Sequence, residues 1–344
     1  MNARPQPTIR DVAAKAGVSI ATVSRSLNAT GLASVDTAER VRRAAQELGF
    51  KPNPAGRALK TARSHVIGVM VPSLRNPVFA EAVEGIEAAA NAAGYGVVVA
   101  SCGYAREREI EIVEGLVGRR VDGLILTVAQ AASADALARL APASMPFALL
   151  YNEVAPAGAR AVAIDNLAAG RAAAQALVAC GHRRLAMVAG DFSASDRQAP
   201  RRDGFLAGAR EAGLAPPPVL STHFGAPRLG AEFGALFAGP DRPTGLLCAT
   251  DMLAFEAIRA LKTRGLDVPR DVSVVGFDGI DIGALVSPSL ATIVQPNAAM
   301  GEAAFAFVEN RIEGRADGER PSVLPFHFRP GESLGPAPTA GETR

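Results

Sequence analysis

Apolar positions recur at helical spacing over the first fifty residues and give way beyond residue 65 to short apolar runs separated by longer helical stretches. Ile9, Val12, Ala13 and Ala16 lie on one helical face, and Thr8 followed by Asp11 is a capping-box start. Gly17 is placed to end that helix in the left-handed conformation. Val18 is placed to plug the corner, and Ser19 to cap a second helix that buries Val23 and Leu27. Residues 31–35 read as a loop. Asp36 with Glu39 repeats the capping arrangement ahead of a third stripe, Ala38, Val41, Ala45 and Leu48, closed by Gly49. The first two helices form a helix-turn-helix. In that motif the second helix lies in the DNA major groove with its N-terminal residues at the base edges, so Ile20, Ala21 and Arg25 are the outward candidates for reading sequence. Two helices of an ordinary bundle would show the same short periodicity, but the charge distribution favours DNA. Residues 1–63 carry 11 Lys/Arg against 4 Asp/Glu, a net of +7, and the rest of the chain carries 25 against 30, a net of −5. A basic small domain on a mildly acidic body is the footprint of phosphate neutralisation at one end only.

From residue 65 the pattern predicts strands over 66–71, 96–100, 123–127, 147–151, 162–164, 185–189, 219–224, 245–248, 273–277, 292–294 and 323–328. The helical stretches between them cover 77–93, 107–117, 166–179, 202–212, 252–264 and 298–312. Such alternation means parallel sheets covered by helices on both faces. Eleven strands exceed one comfortable open sheet, so they divide into two lobes, with ligands expected in the cleft outside the carboxyl ends of the strands. The expected organisation is an α/β chain with a three-helix head over 1–50, a hinge linker over 51–63, and a core over 64–329. Lobe one takes about 64–163 with 294–329, and lobe two about 164–293. The Pro-, Gly- and Thr-rich stretch 330–344 reads as a disordered tail, and residues 1–7 as a flexible leader.

At 344 residues, 49 % hydrophobic and 20 % charged, the chain has the composition of a globular protein of two or three domains. No apolar run reaches the ~18 residues of a membrane helix, and the N-terminus lacks a secretory pattern, which points to the cytoplasm. Cys102, Cys180 and Cys248 are isolated, odd in number and set in apolar runs, so small buried thiols are expected rather than disulfides. An enzyme needs a reactive constellation. His65, His182, His223 and His327 are dispersed without zinc-pair spacing, and neither a nucleophile elbow nor a phosphate-loop lysine is present. No cofactor or metal is expected. A secreted sugar-binding receptor would share the two-lobed core but not the basic head.

The chain resembles a lactose-repressor-type transcriptional regulator over nearly its whole length. The resemblance rests on Thr8-Ile9-Arg10-Asp11-Val12-Ala13 and Ala21-Thr22-Val23-Ser24-Arg25 in the head, Arg57-Ala58-Leu59 in the linker, and Val121-Asp122-Gly123-Leu124 in the first lobe. Further along come Asp165-Asn166, Gly181-His182-Arg183, Val268-Pro269-Arg270-Asp271-Val272-Ser273-Val274-Val275-Gly276-Phe277-Asp278 and Gln295-Pro296. It implies a homodimer whose heads bind a near-palindromic operator on double-stranded DNA, and a periplasmic-binding-protein-like core that senses a small molecule. By position Ile20, Ala21 and Arg25 face bases, with Arg25 suited to guanine and the other two to a thymine methyl. Thr8, Ser24 and Asn28 match phosphate contacts, and Thr22 stands among the DNA-contacting positions. Leu59, with Arg57 beside it, matches a leucine wedged into the minor groove at the operator centre. Pro54 and Gly56 depart from the better helix formers expected in that hinge. The family's cleft positions fall on Phe79, Arg197, Arg201, Phe224 and Asp278. Asp251 lines the cleft or caps the helix after it, and the sequence leaves both open. Two arginines fork onto a carboxylate or phosphate, which makes a sugar acid or sugar phosphate the leading effector class; a solvated charged face is the rival reading. Tyr151-Asn152 and Thr250-Asp251 depart from the family's usual pairs and leave the ligand open.

Overall fold

The computed structural model describes residues 7–27, 34–50, 63–140, 144–224, 229–316 and 322–339. The chain divides into two compact units, one ending at Ser64 and the other starting at His65. Of the linker 51–63 only Arg63 is described, and Asn28, Arg57 and Leu59 lie outside the described residues.

The first unit contains α1 (Ile9–Ala16), α2 (Ile20–Leu27) and α3 (Val35–Leu48). The Thr8 amide and hydroxyl both donate to Asp11 Oδ2, at 2.7 and 2.8 Å, and Gly17 ends α1 at φ 65°. Ser19 Oγ accepts the Thr22 amide at 3.1 Å and caps α2. The start of α3 differs from the sequence reading. Ser34, not Asp36, is its cap and accepts the Thr37 amide at 3.3 Å, leaving Asp36 in the first turn, where its carboxylate complements the helix dipole. Val12, Val23 and Val41 are fully buried at the centre, with Ala13, Ala44 and Ala45 around them.

Among its described residues the second unit carries eleven strands in two sheets. Sheet one has the order β2-β1-β3-β4-β5, built from β1 (Val66–Val71), β2 (Gly96–Ser101), β3 (Gly123–Leu126), β4 (Phe147–Leu150) and β5 (Arg160–Val162), all parallel. Sheet two has the order β11-β10-β9-β8-β6-β7, built from β6 (Leu185–Gly190), β7 (Val219–Thr222), β8 (Gly245–Cys248), β9 (Ser273–Asp278), β10 (Ala291–Val294) and β11 (His327–Arg329). Its pairs are parallel except β10 with β11. The longer helices are α4 (Pro77–Ala92), α5 (Arg106–Gly118), α7 (Asn166–Ala179), α8 (Gln198–Glu211), α10 (Asp251–Thr263) and α12 (Asn297–Ile312). The short helices α6 (Asp135–Ala138), α9 (Ala231–Leu236) and α11 (Ile282–Leu285) carry no clear sequence period. The fully buried strand runs of β6, β8 and β9 explain why their sequences are continuously apolar rather than alternating.

Two expectations about the core's end are corrected. Residues 294–329 do not form one block with lobe one: α12 packs on α4 and on sheet one, whereas β11 pairs with β10 in sheet two. Residues 330–339 are not a disordered tail. Ser333 is fully buried, its hydroxyl donates to the Val274 carbonyl at 2.6 Å, and it accepts the Ala291 amide at 2.9 Å. The Gly335 carbonyl meets Nε2 of the buried His182 at 3.1 Å, and the Ala337 amide donates to the Cys180 carbonyl at 2.8 Å. A segment that looks unstructured by composition is fixed by completing the hydrogen bonds of sheet two. Residues 340–344 lie outside the described residues.

Candidate functional site

In the head, Val23 turns one face of α2 inward, which leaves Ile20 (44 % exposed), Ala21 and Arg25 on the outer surface. Thr8 is exposed at the start of α1, and Thr22 and Ser24 are half-buried along α2. Arg25 Nε donates to the Ala21 carbonyl at 3.3 Å, which joins two of the base-reading candidates.

In the core, the carboxyl ends of strands from both sheets converge on a small cavity. It is lined by Phe79, Arg197, Arg201, Phe224 and Asp278, together with Asn76, Tyr104, Tyr151 and Gln295 among others. Arg201 is deeply set because of how α8 is built. The sequence reading starts this helix at residue 202, but it begins at Gln198 and carries Pro200 in its first turn, where a missing amide does no harm. Helix α8 then lies directly on α7. A Cβ on Gly204 would overlap the Leu167 carbonyl, and one on Gly170 would overlap that of Arg201. With the helices in backbone contact, the Arg201 side chain is 2 % exposed.

Its guanidinium is held on three sides. Nε and Nη2 donate to Asn166 Oδ1 at 3.1 and 2.8 Å, Nη1 donates to the Ala249 carbonyl at 2.6 Å, and the group lies 3.4 Å over the Phe277 ring. Burial pushes its pKa down to about 9, which leaves it cationic at neutral pH. One N–H on Nη1 and one on Nη2 have no partner among the described residues. Arg197 is 7 % exposed, stands 6.0 Å from the Tyr151 ring, and has its Nη1 buried without a hydrogen bond among the described residues.

Asp278 ends β9 at φ 118°, and Tyr104 and Tyr151, which also line the cavity, have φ of 63° and 70°. Positive φ is uncommon for residues with side chains; here it marks wall residues that follow β2, β4 and β9. Asp278 Oδ1 accepts Gln295 Nε2 at 3.0 Å, and Oδ2 faces Asn76 Nδ2 at 3.5 Å. Burial raises its pKa to about 6, against the pull of the Arg201 and Arg197 guanidiniums. Burial also raises Tyr104 to about 12 and Tyr151 well above its usual value, so both phenols stay neutral.

The structure answers the question the sequence leaves open at Asp251. It is fully buried behind the cavity, not on its wall. Oδ2 accepts the Gly279 and Ile280 amides at 2.9 and 2.8 Å, and Oδ1 pairs with the Thr292 hydroxyl at 2.6 Å. It braces the turn after Asp278, while Thr250 caps α10 by accepting the Leu253 amide at 3.1 Å. Phe79 is edge-on to Tyr151 at 5.5 Å, and Phe224 is stacked on Tyr104 at 4.4 Å. Sequence reasoning missed Tyr104 and treated Tyr151 only as a departure from the family pair. The available signal was their position just past apolar strands.

The lobes also touch directly beside Arg197. Asn152 Nδ2 donates to both carboxylate oxygens of Asp196 at 2.8 and 3.0 Å, Asp196 Oδ2 accepts the Ala131 amide at 3.1 Å, and the Asp196 amide donates to the Ala129 carbonyl at 2.7 Å.

A helix-turn-helix unit followed by a two-lobed parallel α/β core with a charged cleft defines a ligand-responsive transcriptional regulator. The chain belongs to the lacI family of bacterial regulatory proteins, whose sequence profile matches residues 8–53, and a periplasmic binding protein-like domain matches residues 174–334. It is 34 % identical to the HTH-type transcriptional regulator GntR of Escherichia coli K12 over 333 residues, 96 % of this chain and 99 % of the relative. It is 33 % identical to the HTH-type transcriptional repressor CytR of the same strain over 315 residues, 90 % of each chain. Among solved structures it matches the lac repressor dimer bound to operator and the anti-inducer ONPF, with a TM-score of 0.85, 28 % identity, and coverage of 96 % and 99 %. The protein is therefore a DNA-binding transcriptional regulator with an effector-binding core.

Proposed function

We propose that this regulator is a homodimeric repressor of near-palindromic operators, and that its DNA affinity is set by a small anionic sugar, a sugar acid or sugar phosphate, held between the core lobes and released unaltered. The observation that carries the effector class is the buried Nη1 of Arg197, unpartnered beside the two free N–H groups of Arg201. A buried cationic donor left without a partner is costly, and a carboxylate or phosphate is the group that satisfies two guanidinium forks at once. Asp278 and Gln295 on the same wall suit ligand hydroxyls. The titratable groups on the wall among the described residues are two cations, one carboxylate and two neutral phenols, a set for holding a ligand rather than transforming it. An anion drawn to Arg197 acts next to the Asp196–Asn152 contact, so binding bears on lobe closure. In the head, Arg25 reads guanine and Ile20 and Ala21 meet thymine methyls, while Thr8, Thr22 and Ser24, with Asn28 beyond the described residues, hold phosphates. Arg57 and the wedge Leu59 act at the operator centre. The matched lac repressor structure is a dimer on its operator, which supports the same assembly here.

The test is a thermal-shift screen of sugars, sugar acids, sugar phosphates and nucleobases, repeated with Arg197→Ala, Arg201→Ala and Asp278→Asn. Ligand at a hundredfold excess over its Kd should stabilise by about 2.7 kcal/mol. An acid that stabilises the wild type and fails with both arginine variants supports the reading. Stabilisation by neutral compounds or nucleobases alone refutes the anionic effector.

A further inference from the structure

The charged cavity has a neighbour in the cleft. A second and larger one lies beside it and is lined by Arg75, Thr222, His223, Met252 and Leu253 among others. Tyr104 and Phe224 belong to both walls. They come from opposite lobes, Tyr104 after β2 at the edge of sheet one and Phe224 after β7 at the edge of sheet two. Their rings are nearly parallel, 9° apart at a centroid distance of 4.4 Å, so one face of Phe224 is already covered. The tip of the Phe224 ring rests on Gly190, where any Cβ would overlap it. The ring thus has protein on two sides in the closed cleft, and it does not offer the open apolar platform that its position alone suggests.

We infer that the Tyr104–Phe224 pair is a partition that sets the size of the effector, making Tyr104 a specificity-determining residue. With the rings stacked, the ligand is confined to the inner chamber, the smaller of the two. A single sugar acid is the ligand this reading places there, with its carboxylate on the arginines. An acid that carries a second sugar unit has to pass the rings into the outer chamber and so holds the lobes apart. A stacked aromatic pair shifts such an open–closed balance by roughly two- to tenfold. The small residue at Gly190 is part of the device, because it gives the Phe224 ring the room to lie flat on its partner. The inference rests on the anionic-effector reading for the ligand's chemistry, but the partition itself does not.

Two measurements separate these. The chain has no Trp, so Phe224→Trp reports on the partition in the absence of ligand. Its emission should resist quenching by acrylamide, and adding Tyr104→Ala should raise the quenching constant at least threefold. Free quenching while Tyr104 is present, or no change on its removal, overturns the partition. In the second arm, calorimetry compares six-carbon aldonic acids with an aldobionic acid that carries the same carboxylate and one more ring. The wild type should bind an aldonic acid at least tenfold more tightly than the aldobionic acid. Both Tyr104→Ala and Gly190→Ala, which pry at the pair from opposite sides, should bring the two within threefold. If an aldonic acid binds and the preference survives both substitutions, the inference is wrong. If no acid binds the wild type, the anionic-effector reading fails, and the quenching arm still decides the partition.

Discussion

Arg197, Arg201 and Asp278 show how burial turns ordinary charged residues into the wall of a polar cavity. Arg201 is fixed by protein acceptors and offers only what they leave over, whereas Arg197 brings a buried, unpartnered nitrogen. Asp278 supplies a pH dependence that can be worked out in sign. Its pKa is raised from 3.8 to about 6 in the folded chain, so the folded state holds its proton to a higher pH than the unfolded state. Its contribution to stability is therefore fullest below pH 3.8 and is lost as pH rises through about 6, a change on the order of 3 kcal/mol. Asp278→Asn removes this dependence. Between pH 5 and pH 8 the unliganded variant should gain stability relative to the wild type, and melting curves that shift in parallel would refute the assignment. His182, held below its usual value by burial, titrates alike in both proteins, whereas Asp251, raised to about 8 by burial and by the Asp278 charge, falls when that charge is removed and adds to the variant's gain. Of these residues the arginines and Asp278 were legible in the sequence through the family pattern. Tyr104 was not, because its role depends on a ring from the other lobe, a contact with no local signature.

The elements with strong periodicity were legible nearly to the residue, and those with a punctuation mark inside them were not. Helices α1 and α2 announce themselves through Thr8–Asp11, Gly17 and Ser19, and each of these groups makes the hydrogen bond or turn its chemistry suggests. Helix α8 was read four residues short at its start, although a proline in the first turn, here Pro200, is compatible with a helix that begins before it. That four-residue difference carries Arg201 from a loop onto a packed helix. On α2, Arg25→Ala should cost roughly 1 to 3 kcal/mol of discrimination at one operator position and leave the thermal stability of the head nearly unchanged. Binding measured against a set of single-base operator variants checks this, and a uniform loss across all of them would make Arg25 a phosphate contact instead.

At the scale of the whole molecule, two sheets were legible because buried parallel strands write continuous apolar runs, but their division was only partly so. Residue patterns give strands and helices, whereas the return of α12 to sheet one and β11 to sheet two is decided by packing between segments far apart in sequence. The regulatory coupling belongs to this scale. Saturating effector must change operator affinity by the same factor by which operator changes effector affinity. Fluorescence anisotropy with labelled operator and calorimetry with the effector, run on one preparation at one salt concentration, should return equal factors. An effector that binds without altering operator affinity would sever the core from control of the head.

The late segments of the chain also fix the order in which the protein is made. The three-helix head has its own buried centre and is complete by residue 50. Neither lobe is: sheet one waits for α12, and sheet two waits for β11 and the segment through Ala337. Since domains fold as units from the N-terminus during synthesis, the head has all its helices while most of the core is still untranslated, and each lobe of the core waits for segments that emerge some two hundred and fifty residues or more later.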